Sequence, residues 1–475
     1  MNEKLILSLF KKIIGQGQLR KILKPKLEKA IYNAVVENGE PYPKSINVII
    51  YQYLLAMINC IFDNLDKGYM SKHAIQKAVS TILKNAFLKD GFVTTLPQKF
   101  EEKYGIKPPS LIVLAPTQLC NLNCIGCYAA SNAKTPAKLP YEVVDKIVNE
   151  VRYQWGVPFV VISGGEPFMY KDDGKSMLDI YEKYKDVFFL SFTNGTLITP
   201  ELAERMAKLG NITPAISVEG FEKETDERRG KGVFKKILKA FENLRKAGVP
   251  FGISVTGTMK NIETLLKDDF YDFFFEEQGA SYMWLFQFFP IGRGESDMDL
   301  MIIPGKRVEL YRQWEKMLID KKYCIADFWN SGMLSKGCIA YGREGGYLYI
   351  DWNGNIAPCN FAPYYVDNIK ELYKNGKSLT DALFSDLFKN GRKWQCDYGL
   401  GKYEKPDNWL MPCSIRDHYK NFRENILTKD AKPLDKYAND ALHSKEYYDA
   451  MVKYDEELKK LTEKIWEEEY LKEKF

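Results

Sequence analysis

The pattern of apolar and polar residues changes near Pro108. Before it, from Met1 to about Tyr104, apolar residues recur at helical spacing and glycines are few. After it, short apolar runs alternate with longer charged segments of helical period. That alternation is typical of βα units repeated on a parallel sheet, so the pattern predicts a helical N-terminal domain followed by an α/β core.

Six short apolar runs in the core are predicted to be strands. Because the carboxyl ends of parallel strands meet at one edge of a sheet, ligand-binding residues are expected at the ends of these runs. The six predicted strands are residues 111–115, 159–163, 187–193, 213–218, 251–258 and 282–288.

The N-terminal region contains two unusually apolar segments. Residues 45–62 carry no charge and reach the lower length limit for a membrane span, but Asn47, Gln52 and Asn59 would be costly in lipid, so a buried or monotopic helix is predicted, with Cys60 in the core. Residues 5–14 form an amphipathic helix, interpreted as a packed domain edge, with a membrane-surface contact as the alternative. Its apolar stripe and flanking lysines are Leu5, Ile6, Leu9, Phe10, Ile13 and Ile14, with Lys4, Lys11 and Lys12.

Three cysteines follow the first predicted strand at spacings of four and three residues: Cys120, Cys124 and Cys127. Simple burial of the thiols on a helix is disfavoured by the loop formers Asn121 and Gly126. Structural zinc sites need four protein ligands. Three thiolates on a four-iron, four-sulfur (4Fe–4S) cluster would instead leave one iron open for a small molecule. The loop therefore predicts a reactive metal centre.

This loop, together with Gly164-Gly165-Glu166-Pro167 at the end of the second strand, resembles the radical S-adenosylmethionine (SAM) superfamily. The resemblance implies a partial (β/α)6 barrel, with a 4Fe–4S cluster on the three cysteines and SAM bound at its open iron. One departure is Gly126, where the family usually has an aromatic residue. By the resemblance, the residues that contact SAM are Gly164, Gly165, Glu166, Pro167, Thr193, Asn194, Ser217, Glu219, Arg229 and Thr256.

Among these SAM contacts, Glu219 stands where many family members have aspartate. The resemblance places Ser217 and Arg229 against the carboxylate or ribose of SAM, in the strand and loop from Ser217 to Gly230. The planar fork of an arginine suits a carboxylate. A solvated turn is the alternative for Arg228 and Arg229.

A second cysteine set lies downstream. Fifteen residues separate Cys338 from Gly354, and four separate Gly354 from Cys359, with a predicted hairpin turn at Asn353-Gly354. This arrangement resembles the auxiliary-cluster domain called SPASM, or its shorter relative called twitch. With Cys396 and Cys413 the set would ligate one auxiliary 4Fe–4S cluster, although a four-cysteine zinc site has the same ligands. Cys324 is interpreted as a non-ligand.

Composition restricts the compartment and the partners. The 475 residues carry a net charge of +5, too balanced for a nucleic-acid binder. Clustered thiols need a reducing compartment, so a cytoplasmic protein is predicted, with peripheral membrane contact as a variant. Four domains are predicted: 1–107 helical, 108–320 barrel, 321–425 SPASM/twitch-like and 426–475 helical. In the last domain, the helical residues spaced to pack onto the body are Tyr447, Tyr448, Met451, Tyr454, Leu458 and Leu461.

The resemblance predicts an enzyme that cleaves SAM to a 5′-deoxyadenosyl radical and abstracts hydrogen from an unactivated carbon. A reductant such as ferredoxin or flavodoxin would supply the electron. The helical, apolar and partly basic N-terminal region favours a lipid acyl chain as substrate, with a peptide or protein as the alternative. A non-enzymatic iron–sulfur electron carrier or zinc scaffold is disfavoured, because neither needs a cofactor pocket.

Overall fold

The computed structural model describes residues 17–77, 92–134 and 137–472. Helices form the N-terminal part and the C-terminal end, and a nine-stranded sheet lies between them. This is the predicted α/β architecture with helical flanking regions. The predicted amphipathic stripe from Leu5 to Ile14 lies outside the described residues.

The strands belong to the nine-stranded sheet and to two small ribbons, which pair β3 with β4 and β12 with β13. In chain order they are β1 Ile112–Leu114, β2 Phe159–Ile162, β3 Lys171–Asp172, β4 Lys175–Ser176, β5 Phe188–Thr193, β6 Ile212–Val218, β7 Gly252–Gly257, β8 Met283–Gln287, β9 Ile325–Asp327, β10 Tyr349–Ile350, β11 Ile356–Ala357, β12 Tyr364–Tyr365 and β13 Lys432–Pro433.

The helices are, in chain order, α1 Gly17–Tyr32, α2 Lys44–Asp66, α3 Phe92–Tyr104, α4 Tyr141–Tyr153, α5 Met177–Lys183, α6 Pro200–Leu209, α7 Glu222–Arg229, α8 Val233–Ala247, α9 Ile262–Leu265, α10 Asp268–Asp272, α11 Pro304–Ile319, α12 Gly332–Ser335, α13 Ile369–Lys374, α14 Leu379–Ala382, α15 Asp386–Gln395, α16 Tyr419–Asn421, α17 Lys436–His443 and α18 Lys445–Ile465. Several end in a π-helical turn, among them α15, which continues into Cys396–Leu400.

The six predicted strands are confirmed as β1, β2, β5, β6, β7 and β8, which lie side by side in that order and are all parallel. Their apolar residues are buried because helices cover the sheet. Helices such as α8 present one apolar face to the sheet and end at a glycine, here Gly248 at φ +73°. Among the described residues the two edge strands, β9 and β11, do not pair, so the sheet stays open.

Three further strands extend this sheet. On one side β9 pairs with β8 in parallel, and on the other β10 pairs with β1, also in parallel, at the register Val113 to Tyr349. β11 returns antiparallel to β10, which confirms the predicted hairpin. Its turn is closed by Asp351, whose carboxylate accepts hydrogen bonds from two backbone N–H groups in the turn. The attachment of this hairpin to β1 was not predicted, and the four domain boundaries stay a prediction.

Helix α2 contains the uncharged segment 45–62. By length and composition it is the one helix among the described residues that could cross a membrane, and half of its most apolar stretch is buried. Two of the three amides in this segment have protein partners, since Asn47 Nδ2 donates to Glu40 O at 3.1 Å and Gln52 Oε1 accepts from Lys322 Nζ at 2.8 Å. The third, Asn59, has a buried Oδ1 without a hydrogen-bond partner among the described residues. Cys60 is buried as predicted. The helix is therefore packed against the body along one side.

Helix α18 packs onto the body through Tyr447, Met451, Tyr454 and Leu458, as predicted. The prediction is wrong for Leu461, which is 45% exposed. In the last turn the buried stripe advances by four residues rather than three, so Thr462 takes the inward position. Its hydroxyl accepts a hydrogen bond from Asn408 Nδ2 at 2.9 Å.

Candidate active site

A cavity of about 240 Å³ lies at the carboxyl ends of the parallel strands. Its walls carry Cys120, Cys124 and Cys127, so the fold brings the three predicted ligands to one space. The predicted SAM contacts that line it are Gly164, Gly165, Thr193, Asn194, Ser217, Arg229 and Thr256. The other three predicted SAM contacts, Glu166, Pro167 and Glu219, do not line the cavity, although each is close in sequence to a residue that does.

The cysteine loop is not helical, as predicted, and two arginines hold its backbone. Arg228, at the end of α7, donates from Nε to Ile125 O at 3.2 Å and receives the Ile125 N–H at its own carbonyl at 3.0 Å. Arg293, in the turn after β8, donates from Nε to Cys124 O at 3.2 Å and from its backbone N–H to Cys127 O at 3.0 Å. These bonds fix the directions of the thiols.

Arg293 was missed by the sequence reasoning. Its only local signal is that it stands between Gly292 and Gly294, and a Cβ on Gly292 would lie 2.1 Å from Tyr128 O. The glycines thus let the turn after β8 approach the cysteine loop closely enough for the arginine to reach its carbonyls. Thr225 to Arg229, which the resemblance implied to be part of a loop, belong to helix α7. The side chains of Arg228 and Arg229 are 15% and 11% exposed, which argues against a solvated turn.

Steric contact explains why residue 126 is a glycine. It adopts φ +63°, and a Cβ there would lie 2.6 Å from Cε2 of Phe288. Phe288 follows β8 and lines the cavity beside the cysteine loop. An aromatic ring therefore packs against Gly126 from the residue that follows β8.

The glycine pair also fits the loop tightly. A Cβ on Gly164 would lie 2.5 Å from Thr117 O, and one on Gly165 would lie 2.2 Å from Leu119 O. The N–H groups of Gly165 and Glu166 donate to those same two carbonyls, each at 2.8 Å. The glycines therefore support the segment that leads into Cys120.

Glu166 is fully buried and bonds to the neighbouring strand end. Its carboxylate accepts from Thr193 Oγ1 at 2.8 Å, from the Asn194 N–H at 2.9 Å and from the Phe168 N–H at 3.2 Å. Burial raises the pKa of this carboxyl group to about 7, against the lowering effect of these hydrogen bonds. In this conformation Glu166 positions the ends of β2 and β5.

Glu219 organises the opposite side of the cavity. Its carboxylate, 1% exposed, accepts from Arg228 Nη1 at 2.5 Å and from Arg229 Nε at 2.8 Å. It also accepts the Thr256 N–H at 3.2 Å, which joins the ends of β6 and β7. Asn261 Nδ2 donates to its backbone carbonyl at 2.6 Å. Both arginines are thereby held beside the cavity in fixed orientations.

The thiols of the cysteine loop sit among hydrogen-bond donors and positive charge. Burial raises the pKa of Cys120 to about 12, while the Leu122 N–H, 3.5 Å from its sulfur, opposes the rise. Burial also raises the pKa of Cys124, against the lowering effect of Arg229 and Arg228. Such donors and cations stabilise sulfur once it is ionised by a metal.

The second thiol set lies around Tyr347. Burial raises the pKa of the Tyr347 phenol, and the nearby Cys359, Cys338 and Cys413 raise it further. The Tyr347 hydroxyl is 2.8 Å from Cys359 Sγ. Cys396 is exposed at the end of α15. It follows Gln395, whose side chain donates to Cys338 O at 2.9 Å. The fold therefore gathers three of the four predicted auxiliary ligands and places the fourth beside them at the surface.

Aromatic rings form the wall of the cavity away from the cysteine loop. Phe361 lies two residues after Cys359 and packs against Phe328 and Phe286 with ring centroids 5.5 and 5.7 Å apart. Phe286 also contacts Phe192 at 5.8 Å. A short bridge between Cys359 and Ala362 directs this segment toward the barrel. The second thiol set and the cavity are thus separated by only a few residues.

Comparison with known proteins identifies the family. The model of the radical SAM superfamily matches residues 114–272, the stretch that carries the cysteine loop and the strand ends described above. The mycofactocin maturase MftC of Mycobacterium ulcerans is 30% identical over 307 residues, covering 62% of this chain and 79% of that protein. The chain belongs to the radical SAM superfamily. It is therefore an enzyme whose cofactors are a 4Fe–4S cluster and SAM.

Other radical SAM proteins match as well. An AdoMet-dependent heme synthase of Methanosarcina barkeri is 29% identical over 293 residues, covering 55% of this chain and 80% of that protein. Two solved structures share the fold. They are Streptococcus suis SuiB bound to precursor peptide SuiA, with TM-score 0.51, 20% identity and coverage of 66% and 73%, and native anSMEcpe with bound AdoMet, with TM-score 0.50, 17% identity and coverage of 74% and 97%.

The radical SAM site fits its cofactors. Within residues 17–77, 92–134 and 137–472, no three His, Cys, Asp or Glu side chains are close enough together to hold a single metal ion. Cluster thiolates each bind a different iron, so they stand farther apart than the ligands of one zinc. Ser131 Oγ, on the cavity wall, is buried without a hydrogen-bond partner among the described residues. A polar ligand in the cavity would satisfy it.

Proposed function

We propose that this radical SAM enzyme modifies a peptide by abstracting hydrogen from an apolar side chain. The observation that carries the proposal is the cavity itself, in which three thiols and polar strand ends face a wall of aromatic rings. When bound, the cluster and SAM supply a 5′-deoxyadenosyl radical. The protein then has to hold the target C–H group nearby and keep other hydrogen donors away.

In this proposal Cys120, Cys124 and Cys127 ligate the cluster. Arg229 and Ser217 hold the carboxylate or ribose of SAM, with Glu219 fixing the arginine. The remaining SAM contacts follow the strand ends already described: Gly164, Gly165, Glu166, Pro167, Thr193, Asn194 and Thr256. Glu166 would act chiefly by positioning these strand ends, because its carboxylate is occupied by Thr193, Asn194 and Phe168.

The comparisons favour a peptide over the lipid acyl chain that the apolar N-terminal region suggested. MftC, named a maturase, matches over 79% of its length. The helix α2 that motivated a membrane approach is half buried and has polar contacts with the body of the protein. An aromatic cavity also suits the apolar side chain of a peptide.

A tetrapyrrole is the second candidate substrate, because heme synthases are among the relatives. The propionates of a tetrapyrrole require cations. Among the described residues that line the cavity, the charged ones are Arg228 and Arg229. Both pair with Glu219, and Arg229 is assigned to SAM in this proposal, so neither is left over for a propionate. The cavity therefore favours an apolar group over a dianionic ring.

The auxiliary centre is proposed to be one 4Fe–4S cluster on Cys338, Cys359, Cys396 and Cys413, reduced together with the SAM cluster by a ferredoxin- or flavodoxin-type protein in a reducing, cytoplasmic compartment. Cys359, Cys338 and Cys413 all add to the effect of burial in raising the pKa of Tyr347, which supports their convergence around this phenol. Cys396 would need to turn inward from the surface. Cys324, buried beside Tyr53, has no place in this set.

The enzymatic step is tested on anaerobically reconstituted protein reduced with dithionite. It should convert SAM to 5′-deoxyadenosine, and the Cys124→Ala variant should lose this activity. An equal yield of 5′-deoxyadenosine from the variant would contradict the proposal.

The substrate class is tested with three deuterated probes: a library of short peptides with deuterated aliphatic and aromatic side chains, a phospholipid with a deuterated acyl chain, and a deuterated iron-coproporphyrin. Hydrogen abstraction transfers deuterium to 5′-deoxyadenosine, which mass spectrometry detects. The proposal predicts transfer from peptides. Transfer from the lipid or the porphyrin alone would replace the peptide with that class.

Iron counting tests the auxiliary set. Two four-iron clusters predict about eight iron atoms per chain. Replacing Cys338, Cys359 and Cys413 by alanine should lower the count by about four, whereas Cys324→Ala should leave it unchanged. Cys396→Ala should also lower it if the fourth ligand is assigned correctly.

A further inference from the structure

Arg416 is fully buried and has no counter-ion in contact with it. Among the described residues, no carboxylate forms an ion pair with its guanidinium group. Nη1 donates to Gln287 Oε1 at 3.0 Å and Nη2 to Tyr454 Oη at 3.3 Å, both neutral partners. Nε is buried and has no partner in that part of the chain. The ring of Trp329 lies 4.8 Å away and provides only a cation–π contact.

The nearby carboxyl groups are committed elsewhere. Asp417 forms its ion pair with Arg307, with Nη2 and Oδ2 3.2 Å apart. Both carboxylate oxygens of Asp327 accept from Nε2 of Gln287, and Asp327 reaches Arg416 only through that amide. Asp455 is neutral near pH 7, because burial holds its pKa at about 9. The guanidinium of Arg416 therefore lacks the direct partner that a buried charge requires.

Arg416 lies next to the second thiol set. It follows Cys413 by three residues, in a turn closed by the Asp417 N–H, which donates to Cys413 O at 3.0 Å. Burial lowers the pKa of the Arg416 guanidinium group, against the raising effect of nearby groups that include Cys413. Burial raises the pKa of the Cys413 thiol, and the nearby Asp417, Cys338 and Cys359 raise it further. A cluster held by three or four thiolates has a net negative charge, which grows by one when it is reduced. Such an anion at this position would supply the missing counter-charge.

We infer that Arg416 is a positioning residue for the auxiliary centre, compensating its negative charge and raising its reduction potential. This inference rests on the proposed auxiliary cluster. A fixed cation stabilises the reduced, more negative form more strongly than the oxidised form. The same residue bonds to Gln287, which lines the reaction cavity, so a change in cluster charge would be felt at the cavity wall.

The test is a double-mutant cycle on the full chain. Arg416→Met is introduced into the reconstituted wild type and into a chain in which Cys338, Cys359 and Cys413 are alanine. With the cluster present, the variant loses a favourable charge pair and should unfold at a lower temperature. Without the cluster, it removes an unpaired buried charge and should unfold at a higher temperature.

Arg152→Met is the matched control, because Arg152 is also buried but forms an ion pair with Asp186, Nε to Oδ2 at 2.6 Å. It should lower the unfolding temperature in both backgrounds. The second readout is a redox titration followed by electron paramagnetic resonance. At fixed potential the reduced-to-oxidised ratio of the auxiliary cluster should fall about tenfold in Arg416→Met, equivalent to about 59 mV for one electron.

The outcomes separate the two proposals. If Arg416→Met lowers the unfolding temperature equally in both backgrounds, or leaves the titration curve unchanged, Arg416 is a packing residue and the inference fails while the cluster stands. If the triple-alanine chain holds as much iron as the wild type, the auxiliary cluster fails and the inference fails with it. A reversal of sign together with a shifted titration establishes the role.

Discussion

Arg307 and Asp417 form an ion pair that joins helix α11 to the Cys413 segment, with both side chains 1% exposed or less. The guanidinium also donates to two backbone carbonyls, those of Trp329 and Leu410. The second oxygen of Asp417 accepts the Cys413 N–H at 3.1 Å. This pair therefore holds a predicted auxiliary ligand against the barrel.

Replacing Arg307 by methionine should lower the free energy of unfolding by about 3–5 kcal/mol, because it leaves Asp417 buried and unpaired. Denaturant unfolding measures the loss. The control is Lys393→Ala, which removes an ion pair to Asp397 in which both side chains are more than half exposed, and should change stability by less than about 0.5 kcal/mol. Equal effects from the two variants would contradict the structural role of the buried pair.

Glu219→Gln should weaken SAM binding. The substitution removes the negative charge that orients Arg228 and Arg229 while keeping the side-chain shape. Charge-assisted hydrogen bonds contribute about 1.5–3 kcal/mol, so the Kd for SAM should rise at least about tenfold, as measured by calorimetry on the reconstituted enzyme. Glu242→Gln is the control, since Glu242, like Glu219, pairs with two basic side chains, but these are lysines at the surface. An unchanged Kd in Glu219→Gln would show that the arginines do not contact SAM.

Gly126→Ala should disrupt the cysteine loop. The new Cβ would meet Phe288 at 2.6 Å, in addition to the cost of a side chain at φ +63°. Iron content and 5′-deoxyadenosine yield should both fall. Gly174→Ala isolates the backbone cost, because Gly174 has φ +74° and open space around it. Shortening the neighbour with Phe288→Leu should restore part of the iron lost in Gly126→Ala, and no restoration would argue against the contact.

Asp455→Asn should flatten the pH dependence of stability. Burial, followed by the charge of Asp417, raises the pKa of Asp455 to about 9, against about 3.9 in an unfolded chain. Between these values the native chain binds the extra proton, so its stability is greatest at low pH and falls as pH rises. The slope is about 1.4 kcal/mol per pH unit for this group.

Thermal unfolding at pH 6 and pH 8 tests this expectation. The asparagine keeps an oxygen for the Tyr419 N–H, which now donates to Asp455 Oδ2 at 2.6 Å. The unfolding temperature of the Asp455→Asn variant should therefore change less between the two pH values than that of the wild type. Asp397→Asn, an exposed change, should keep the wild-type slope. Parallel slopes in all three chains would refute the assignment.

The six parallel strands and the cysteine loop were predictable because each is encoded locally, by a short apolar run or by a fixed cysteine spacing. The hairpin of β10 and β11 was predictable from Asn353-Gly354 for the same reason. Its pairing with β1 was not predictable, since the pairing of two strands far apart in sequence does not change the hydrophobic pattern of either strand. Arg293 escaped prediction because it bonds to backbone carbonyls that only folding brings near. The contacts of Arg416 with Gln287 and Tyr454 are likewise distant in sequence.

The pairing of β1 with β10 also affects how the chain is made. The two strands are separated by about 235 residues, so at 5–20 residues per second a ribosome completes β10 roughly 10–50 s after β1. During that interval one edge of β1 is open, and an apolar strand with a free edge invites pairing with other chains. The cell must therefore shield this nascent chain until β10 is made, and soluble yield should depend more on chaperone supply than on the stability of the finished fold.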